Sequence, residues 1–242
     1  MNNKKTQTIA IITAGGIGSR MKLDIPKQFF EVYGKPIIFY TLAAFQNSKD
    51  IDRICLVYLK GYEEYFRNLV KEAGFTKVNI FVEGGDTNEL SIRNGLLSLK
   101  DVANEDDIVI VHDGIRPLVD EQIIKDNIKV CKENGNAVTV VPSNEAMLYS
   151  ENKNSSSEYL TREFVWRTQT PHSMRYKDMM DLVNLTISKG ITNSVAICTM
   201  LIENNKKVYF SKGNHFNFKI TYPEDIDLLK AILDVKKGKN EN

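Results

Sequence analysis

The sequence predicts an α/β fold, built on a doubly wound, mostly parallel sheet with a protruding β-hairpin arm. Short and almost wholly apolar runs, such as residues 54–59 and 108–111, alternate with segments of helical periodicity. Such runs are typical of parallel strands that are buried on both faces. A polar, irregular stretch at 143–167 interrupts the alternation. With 242 residues and 42% apolar residues, the chain suits one domain spanning residues 1–242.

The elements of the first half follow a strict alternation. Strands are predicted at 9–12, 54–59, 78–82, 108–111 and 137–141, and helices at 36–45, 62–73, 90–99 and 121–133. Gly74 and Gly135 follow two of these helices, and glycine is common just after a helix ends. In a parallel sheet of this kind, ligands bind at the carboxyl ends of the strands.

The second half begins with the arm. Residues 151–158 (ENKNSSSE) alone suit a disordered surface loop, but the β-forming run at 159–166 favours a hairpin. Because an isolated hairpin is marginally stable in water, we expect the arm to pack against a second copy of the chain. Helices are then predicted at 175–189, 193–203 and 223–235, and strands at 207–210 and 216–221.

Composition narrows the class of protein. The 32 basic and 31 acidic residues leave a net charge of +1, which gives no electrostatic argument for a nucleic-acid or membrane partner. No apolar run is long enough to cross a membrane. Three widely spaced cysteines indicate buried thiols in a reducing compartment. We therefore expect a cytoplasmic protein with neither a nucleic-acid nor a membrane partner.

The stretch at 9–28 predicts a strand that leads into a phosphate-binding loop. Glycines let backbone N–H groups approach an anion closely, and two cations add full charges beside them. The residues of this loop are Ala14, Gly15, Gly16, Gly18, Arg20 and Lys27. The alternative is a plain turn. A dinucleotide fingerprint fails because Met21 stands where a small residue is needed, and a P-loop fails because no Gly-Lys-Ser/Thr follows.

Two later loops add polar groups at the same predicted edge. In residues 112–117 (HDGIRP), Asp113 suits a metal ion or a ribose, and Arg116 suits a phosphate. The alternative is a helix-entry turn that Asp113 caps, with His112 as a packed residue. In residues 83–91 (EGGDTNELS), backbone N–H groups and Ser91 suit a base or a ribose, and the alternative is an ordinary capped turn.

Further cations lie nearer the C-terminus. A period of two at 216–221 (FNFKIT) predicts a strand with Asn217, Lys219 and Thr221 on one face. A lysine held on a strand is a rigid cation suited to developing negative charge, although a solvated edge position is the alternative. Arg162 and Thr170 flank the aromatic arm and suit a second phosphate. No arrangement for nucleophilic catalysis emerges, and transfer to a phosphate that is already ionised requires none.

Five ordered motifs carry a family resemblance: AGGIGSRM with PKQ, EGGD with Ser91, VHDGIRP, RTQTPH and NFKITYPED. Together they resemble the cytidylyltransferases that join CTP to a polyol phosphate, over roughly residues 9–228. The resemblance implies a Rossmann-like nucleotidyltransferase domain, a divalent cation such as Mg²⁺, and a homodimer formed through the arm at about 143–167. CTP and a polyol phosphate would be the partners.

The resemblance also implies roles for individual residues. Arg20 and Lys27 would stabilise the pentacoordinate phosphorus, and Arg162 and Lys219 would place the polyol phosphate over the α-phosphate of CTP. Asp113 would hold the metal where ribose and substrate meet. The residues that would bind the nucleotide are Thr13, Ala14, Gly15, Gly16, Gly18, Gly84, Gly85, Asp86, Asn88, Ser91 and Asp113. Those that would bind the acceptor substrate are Asp113, Arg116, Arg162, Thr170 and Lys219.

Departures from the pattern favour one branch of the family. Ala146 stands where the erythritol enzymes have threonine, and Asn193 replaces a common aspartate. The same departures, together with His172 in place of the usual glutamine, leave another pentitol or tetritol phosphate open as the acceptor. Asn88-Glu89, the run at 195–201 and Phe216 resemble the ribitol branch, which serves teichoic acid or capsule synthesis. The sequence therefore predicts transfer of CMP to D-ribitol 5-phosphate. The alternative is the 2-C-methyl-D-erythritol 4-phosphate enzyme of isoprenoid synthesis. A scaffold without catalysis is opposed by retention of Arg20, Lys27 and Lys219.

Overall fold

A computed structural model of the chain describes residues 6–16, 25–191 and 196–240, and the side chains up to residue 238. Its strands are β1 (Thr8–Ala14), β2 (Glu31–Val32), β3 (Lys35–Pro36), β4 (Arg53–Tyr58), β5 (Val78–Glu83), β6 (Ile108–Asp113), β7 (Asn136–Pro142), β8 (Met147–Tyr149), β9 (Glu158–Leu160), β10 (Trp166–Arg175) and β11 (Phe210–Lys212). Its α-helices are α1 (Ile37–Asn47), α2 (Glu63–Ala73), α3 (Asn88–Ser98), α4 (Glu121–Asn134), α5 (Tyr176–Ser188), α6 (Ile197–Glu203) and α7 (Glu224–Asn240). The predicted α/β class is confirmed.

Seven strands form the central sheet in the order β11-β7-β10-β6-β1-β4-β5. All neighbours are parallel except β10, which runs antiparallel between β6 and β7. The carboxyl ends of β1, β4, β5 and β6 therefore lie at one edge. The expectation of a mostly parallel sheet is confirmed, and this edge is where a ligand would bind.

The sheet is covered on both faces, as a doubly wound fold requires. In β1, Ala10 and Ile12 pack with residues of α1, α2 and α4, whereas Ile9 and Ile11 pack with α3, α5 and α6. Successive side chains of a strand point to opposite faces, so a strand covered on both sides must be apolar throughout. This physical requirement explains why the apolar runs located most strands correctly.

Strand β10 was not predicted, because its sequence is polar. It lies inside the sheet, and its residues 169–173 are buried. Four of these buried residues are nevertheless polar: Gln169, Thr170, His172 and Ser173. Hydrogen bonds compensate for burial of most of these groups, for example from Gln169 Nε2 to the Asn214 carbonyl at 2.8 Å. A strand stabilised in this way shows no hydrophobic pattern.

The arm is a hairpin of β8 and β9, joined to the sheet where Ser143 N–H donates to the Val165 carbonyl at 3.0 Å. The predicted strand at 159–166 is wrong in detail: β9 ends at Leu160, and a 3-10 turn (Arg162–Phe164) leads into β10. Large apolar side chains on the arm are exposed, among them Leu148, Tyr159 and Phe164. Exposed apolar surface of this kind is typical of a surface that contacts another protein.

Two further expectations from composition can be compared with the structure. Cys55, Cys131 and Cys198 are buried and none forms a disulfide, as predicted. Among the helices in the described ranges, none combines the length and apolar character that a membrane crossing requires.

Candidate active site

A glycine-lined cavity opens at the carboxyl ends of β1, β5 and β6. We use this name for the space lined by Thr13, Ala14, Gly15, Gly16, Lys27, Gln28, Gly85, Asp86, Thr87, Asn88, Ser91, Asp113, Ile115 and Lys219. It unites residues predicted from four separate motifs. Gly18 and Arg20, which were also predicted here, lie outside the described residues.

Two glycine loops form one wall of this cavity, and their close approach explains the glycines. A Cβ on Gly84 would lie 3.3 Å from the Tyr58 carbonyl oxygen and 3.6 Å from the Cα of Gly15. One on Gly85 would lie 2.4 Å from the Cβ of Leu90, which no side chain tolerates. Ser91 Oγ accepts from the Gly85 N–H at 3.1 Å, so this side chain shapes the loop.

The start of α3 borders the same wall. Thr87 caps the helix, because its hydroxyl accepts from the Leu90 N–H at 3.2 Å. The ordinary capped turn weighed above is therefore present. It also lines the cavity, so the two interpretations of this segment are compatible.

Lys27 and Gln28 form the opposite wall, within a 3-10 turn (Lys27–Phe29). Lys27 Nζ donates to the Ile220 carbonyl at 2.9 Å, and Gln28 Nε2 donates to the Ala14 carbonyl at 2.9 Å. Both side chains are buried. The turn thus connects the first glycine loop to the segment that carries Lys219.

Asp113 is the charged centre of the site. Its Oδ2 lies 3.0 Å from Arg116 Nε and 3.3 Å from Lys219 Nζ. Burial alone would raise the pKa of the carboxyl, but the positive charges of Lys219 and Arg116 hold this pKa well below its usual range. Asp113 is therefore an anion at neutral pH. It ends β6 and does not cap a helix, since α4 is capped by Asp120.

His112 and Thr170 fix the backbone beneath Asp113. Burial lowers the pKa of His112 to about 3, so its ring is neutral. His112 Nε2 lies 3.3 Å from the Arg116 carbonyl, which can only accept, and must therefore carry the proton. Nδ1 then accepts from the Thr170 hydroxyl at 3.1 Å, and the Thr170 Oγ1 accepts from the Asp113 N–H at 3.1 Å. His112 is thus a packed positioning residue, as the more conservative interpretation held.

The predicted strand at 216–221 is wrong, because this segment is an irregular loop. At its start Phe216 is exposed and Asn217 is fully buried. Among the described residues, no strand pairs with this segment. Instead, Asn217 Nδ2 donates to the Thr170 carbonyl at 2.8 Å, and Ile220 N–H donates to the Ile115 carbonyl at 2.9 Å. Lys219 lies between these two anchors, which hold its backbone as a strand would have done.

A second space, the inner cavity, adjoins the first. Its lining shares Thr13, Asn88, Asp113 and Lys219 with the glycine-lined cavity. Its other residues are Ile92, Val111, Arg116, Thr168, Gln169, Thr170, His172, Ala196, Ile197, Cys198 and Thr199. Arg116 and Thr170, predicted to bind the acceptor substrate, therefore lie in this second space. Asp113 and Lys219 stand at the junction of the two.

Two of the predicted site residues that the structure describes, Gly84 and Arg162, line neither cavity. Gly84 directly precedes Gly85 of the cavity lining, so the residue that the structure does not bring to the site is Arg162. It lies on the exposed arm, 3.8 Å from Glu163, and lines neither cavity within one copy of the chain. The residues that the sequence analysis missed are chiefly Gln28, Thr87, Gln169 and the start of α6. Gln28 could have been found from its place beside Lys27, whereas Gln169 depends on a strand that no apolar pattern indicates.

The donor set at Asp113 can be compared with the needs of a divalent cation. The described residues contain no group of three or more histidine, cysteine, aspartate or glutamate side chains that could enclose an ion. Mg²⁺ is commonly held by one or two carboxylates together with phosphates of the substrate. A single ionised carboxylate in a cavity large enough for phosphates suits that arrangement and excludes an all-protein metal cage.

A mostly parallel α/β sheet with glycine loops and lysines at its carboxyl edge is typical of proteins that bind nucleotide phosphates. The chain belongs to the IspD family, whose model is described as 2-C-methyl-D-erythritol 4-phosphate cytidylyltransferase and matches residues 8–235. The family prediction from five motifs is therefore confirmed.

Individual relatives cover nearly the whole chain. A ribitol-5-phosphate cytidylyltransferase from Lacticaseibacillus paracasei is 39% identical over 230 residues, covering 94% of this chain and 98% of the relative. A 2-C-methyl-D-erythritol 4-phosphate cytidylyltransferase from Clostridium novyi is 35% identical, covering 95% and 97%. The crystal structure of 4-diphosphocytidyl-2C-methyl-D-erythritol synthase from Anaerococcus prevotii superposes with a TM-score of 0.80 at 26% identity, covering 95% and 99%.

Proposed function

We propose that the protein transfers CMP from CTP to D-ribitol 5-phosphate, giving CDP-ribitol and pyrophosphate. The observation that carries this proposal is the junction of two cavities at Asp113 and Lys219. One cavity has glycine loops suited to a triphosphate, and the other has Arg116 and polar side chains suited to a phosphorylated polyol. Relatives named for ribitol 5-phosphate, at 37% to 39% identity, support this choice of acceptor.

The chemistry requires positioning and charge. A phosphate oxygen of the acceptor attacks the α-phosphorus of CTP, a new P–O bond forms, and the bond from the α-phosphorus to the bridging oxygen breaks. Pyrophosphate leaves with that oxygen and its electrons. The attacking phosphate is already ionised near neutral pH, so no general base is needed. Lys27 and Lys219, which both line the glycine-lined cavity, offset the negative charge that develops at the phosphorus.

A second candidate acceptor is 2-C-methyl-D-erythritol 4-phosphate. The matching family model carries this name, and so do relatives at 35% to 36% identity. Four ribitol-named relatives, at 37% to 39% identity, are slightly more similar than these and equally complete, and a fifth is 33% identical. Ribitol 5-phosphate therefore ranks first.

We further propose that Asp113 holds Mg²⁺ together with phosphates of CTP. The ion would neutralise triphosphate charge and polarise the α-phosphate. Asp113 suits this role because Lys219 and Arg116 keep it ionised. The cytoplasmic location expected from the composition stays a prediction.

A homodimer formed through the arm is the last part of the proposal. The exposed apolar side chains of β8, β9 and the following turn would be covered by a second copy. Arg162 would then extend into the partner's inner cavity, which would explain why it lines neither of the two cavities described above in its own chain. This arrangement would supply a cation for the acceptor phosphate.

Pyrophosphate release tests the proposed function and its metal. With Mg²⁺, CTP and ribitol 5-phosphate, we expect turnover that depends on all three, with ATP, GTP and UTP much poorer donors. A chelator in excess should abolish turnover, and added Mg²⁺ should restore it. Full turnover in the chelator would contradict the metal assignment alone, whereas no turnover with any polyol phosphate would contradict the function.

A further inference from the structure

The strongest unused feature of the structure is the ring of His172, in the inner cavity. His172 is only 2% exposed, lines the inner cavity, and has a ring nitrogen, Nε2, without a hydrogen-bond partner. A buried polar atom left unpaired typically costs on the order of 1 to 3 kcal/mol. Such an atom in the wall of a cavity indicates that a ligand supplies the partner.

The protonation of the ring can be worked out. Burial lowers the pKa of His172 to about 4, so the imidazole is neutral and carries one proton. Nε2 has no hydrogen-bond partner among the described residues. With the ring proton on Nδ1, Nε2 carries a lone pair and can accept from an O–H or N–H group of a ligand in the cavity that His172 lines.

The charges of the inner cavity restrict the ligand. The charged side chains in its lining are Asp113, Arg116 and Lys219, and Asp113 and Lys219 are shared with the glycine-lined cavity. The rest of the wall is neutral, with Thr168, Gln169 and Thr199 beside Ile92 and Ile197. A phosphate therefore suits the junction, and a neutral chain of alternating hydroxyl and CH groups suits the remainder.

We propose that the inner cavity takes the hydroxyl chain of the acceptor, and that His172 Nε2 accepts a hydrogen bond from a hydroxyl far from the phosphate. His172 is then a specificity-determining residue for acceptor length. This inference rests on the proposed function. D-Ribitol 5-phosphate is one backbone carbon and one hydroxyl longer than a tetritol phosphate, so on this proposal it offers His172 a hydroxyl that a tetritol phosphate lacks.

Two other roles for His172 fit the structure less well. A general base is unnecessary, because the attacking phosphate oxygen is already ionised. A metal ligand is opposed by the absence of any three-residue donor cluster among the described residues, although Cys198 lines the same cavity.

The test compares acceptors on the wild-type enzyme and on His172→Phe, which keeps a flat ring and removes the nitrogen. For the wild type, 1-deoxy- or 2-deoxy-ribitol 5-phosphate should show kcat/KM about tenfold or more below that of ribitol 5-phosphate. In His172→Phe, the kcat/KM for ribitol 5-phosphate should fall by a similar factor. The kcat/KM for the deoxy analogue should then equal that for ribitol 5-phosphate. The KM for CTP should change less than about twofold.

Controls separate this role from a structural one. His172→Gln, whose amide oxygen can also accept, should recover most of the selectivity, and D-erythritol 4-phosphate should be used equally by wild type and His172→Phe. The proposal would be overturned if His172→Phe lowered kcat/KM equally for ribitol 5-phosphate and for erythritol 4-phosphate. It would also be overturned if the wild type used both deoxy analogues as well as ribitol 5-phosphate. The comparison of ribitol 5-phosphate with its deoxy analogues on the wild type needs no variant. It therefore tests the proposal even if His172→Phe does not fold. A wild type inactive with every polyol phosphate would overturn the proposed function itself.

Discussion

Lys219 is the residue whose replacement has the clearest expected effect. It lies 3.3 Å from Asp113, where the two cavities meet. Lys219→Met keeps most of the side-chain stem and removes the charge. We expect kcat to fall about a hundredfold or more, because a fixed cation stabilises the transition state more than bound CTP. The Kd for CTP should change much less, and turnover and CTP binding measure the two effects separately.

A matched control exists on α7. Lys230 pairs with Asp227 at 3.6 Å, and its side chain is 43% exposed against 39% for Lys219. Lys230→Met should leave both turnover and the melting temperature unchanged, since exposed ion pairs contribute little. Lys219→Met should melt somewhat lower but remain folded, because Arg116 still pairs with the mostly buried Asp113. Near-normal turnover of folded Lys219→Met would remove it from the catalytic site.

Because the ring of His172 is buried, we also expect the stability of the protein to depend on pH. Its pKa is lowered by burial to about 4 in the folded protein, against about 6.5 when unfolded. Between these values the unfolded state binds a proton that the native state does not, so stability is full above pH 6.5 and is lost as the pH falls toward 4. Asp113, the Gln169 backbone and Arg116 also influence the pKa of this ring, but they are common to the wild type and to His172 variants.

The measurement is urea unfolding of wild type and His172→Gln at several pH values. The free energy of unfolding of the wild type should fall, relative to the variant, by about 2 kcal/mol between pH 7.5 and pH 5. A difference that is constant with pH would mean that the ring stays accessible to protons in the native state.

At the scale of elements, the arm yields the prediction about assembly. Leu148, Tyr159 and Phe164 are 69%, 76% and 82% exposed, so serine at all three positions should barely affect folding of a single chain. If these side chains form the dimer contact, light scattering should show twice 27.5 kDa for the wild type and 27.5 kDa for the triple variant. Activity should fall with the dimer, because Arg162 would no longer reach a partner.

The control for the arm is Glu151→Ser, which changes the polar tip of the same hairpin. It should leave both mass and activity unchanged. A wild type that is monomeric at assay concentrations, or a triple variant that remains dimeric and active, would contradict assembly through the arm.

Elements also show where sequence reasoning succeeds. Strands β1, β4 and β6 are apolar because helices cover both faces, so their pattern reflects the fold directly. Strand β10 and the loop at 213–221 are held by side-chain hydrogen bonds, for example between Asn217 and Thr170. Because those bonds join distant parts of the chain, no local pattern predicted β10, and the alternation at 216–221 indicated a strand that has no neighbour.

At the scale of the whole molecule, most of the site was predictable. Parallel strands place their carboxyl ends at one edge, so the loops after β1, β5 and β6 had to meet there. The separation into two cavities was not predictable, because it depends on β10 and α6, whose side chains form the inner wall. The acceptor was inferred from scattered resemblances such as Asn88-Glu89 and Phe216, and the structure places Asn88 in the lining of both cavities.

Internal competition is the measurement that most directly tests the central claim. Equal concentrations of D-ribitol 5-phosphate and 2-C-methyl-D-erythritol 4-phosphate are mixed with CTP, Mg²⁺ and enzyme, and both CDP-polyols are quantified by mass spectrometry at low conversion. Their ratio equals the ratio of the two kcat/KM values. We expect a large excess of CDP-ribitol over the methylerythritol product, with one pyrophosphate released for each CDP-polyol formed. Predominance of the methylerythritol product would contradict it.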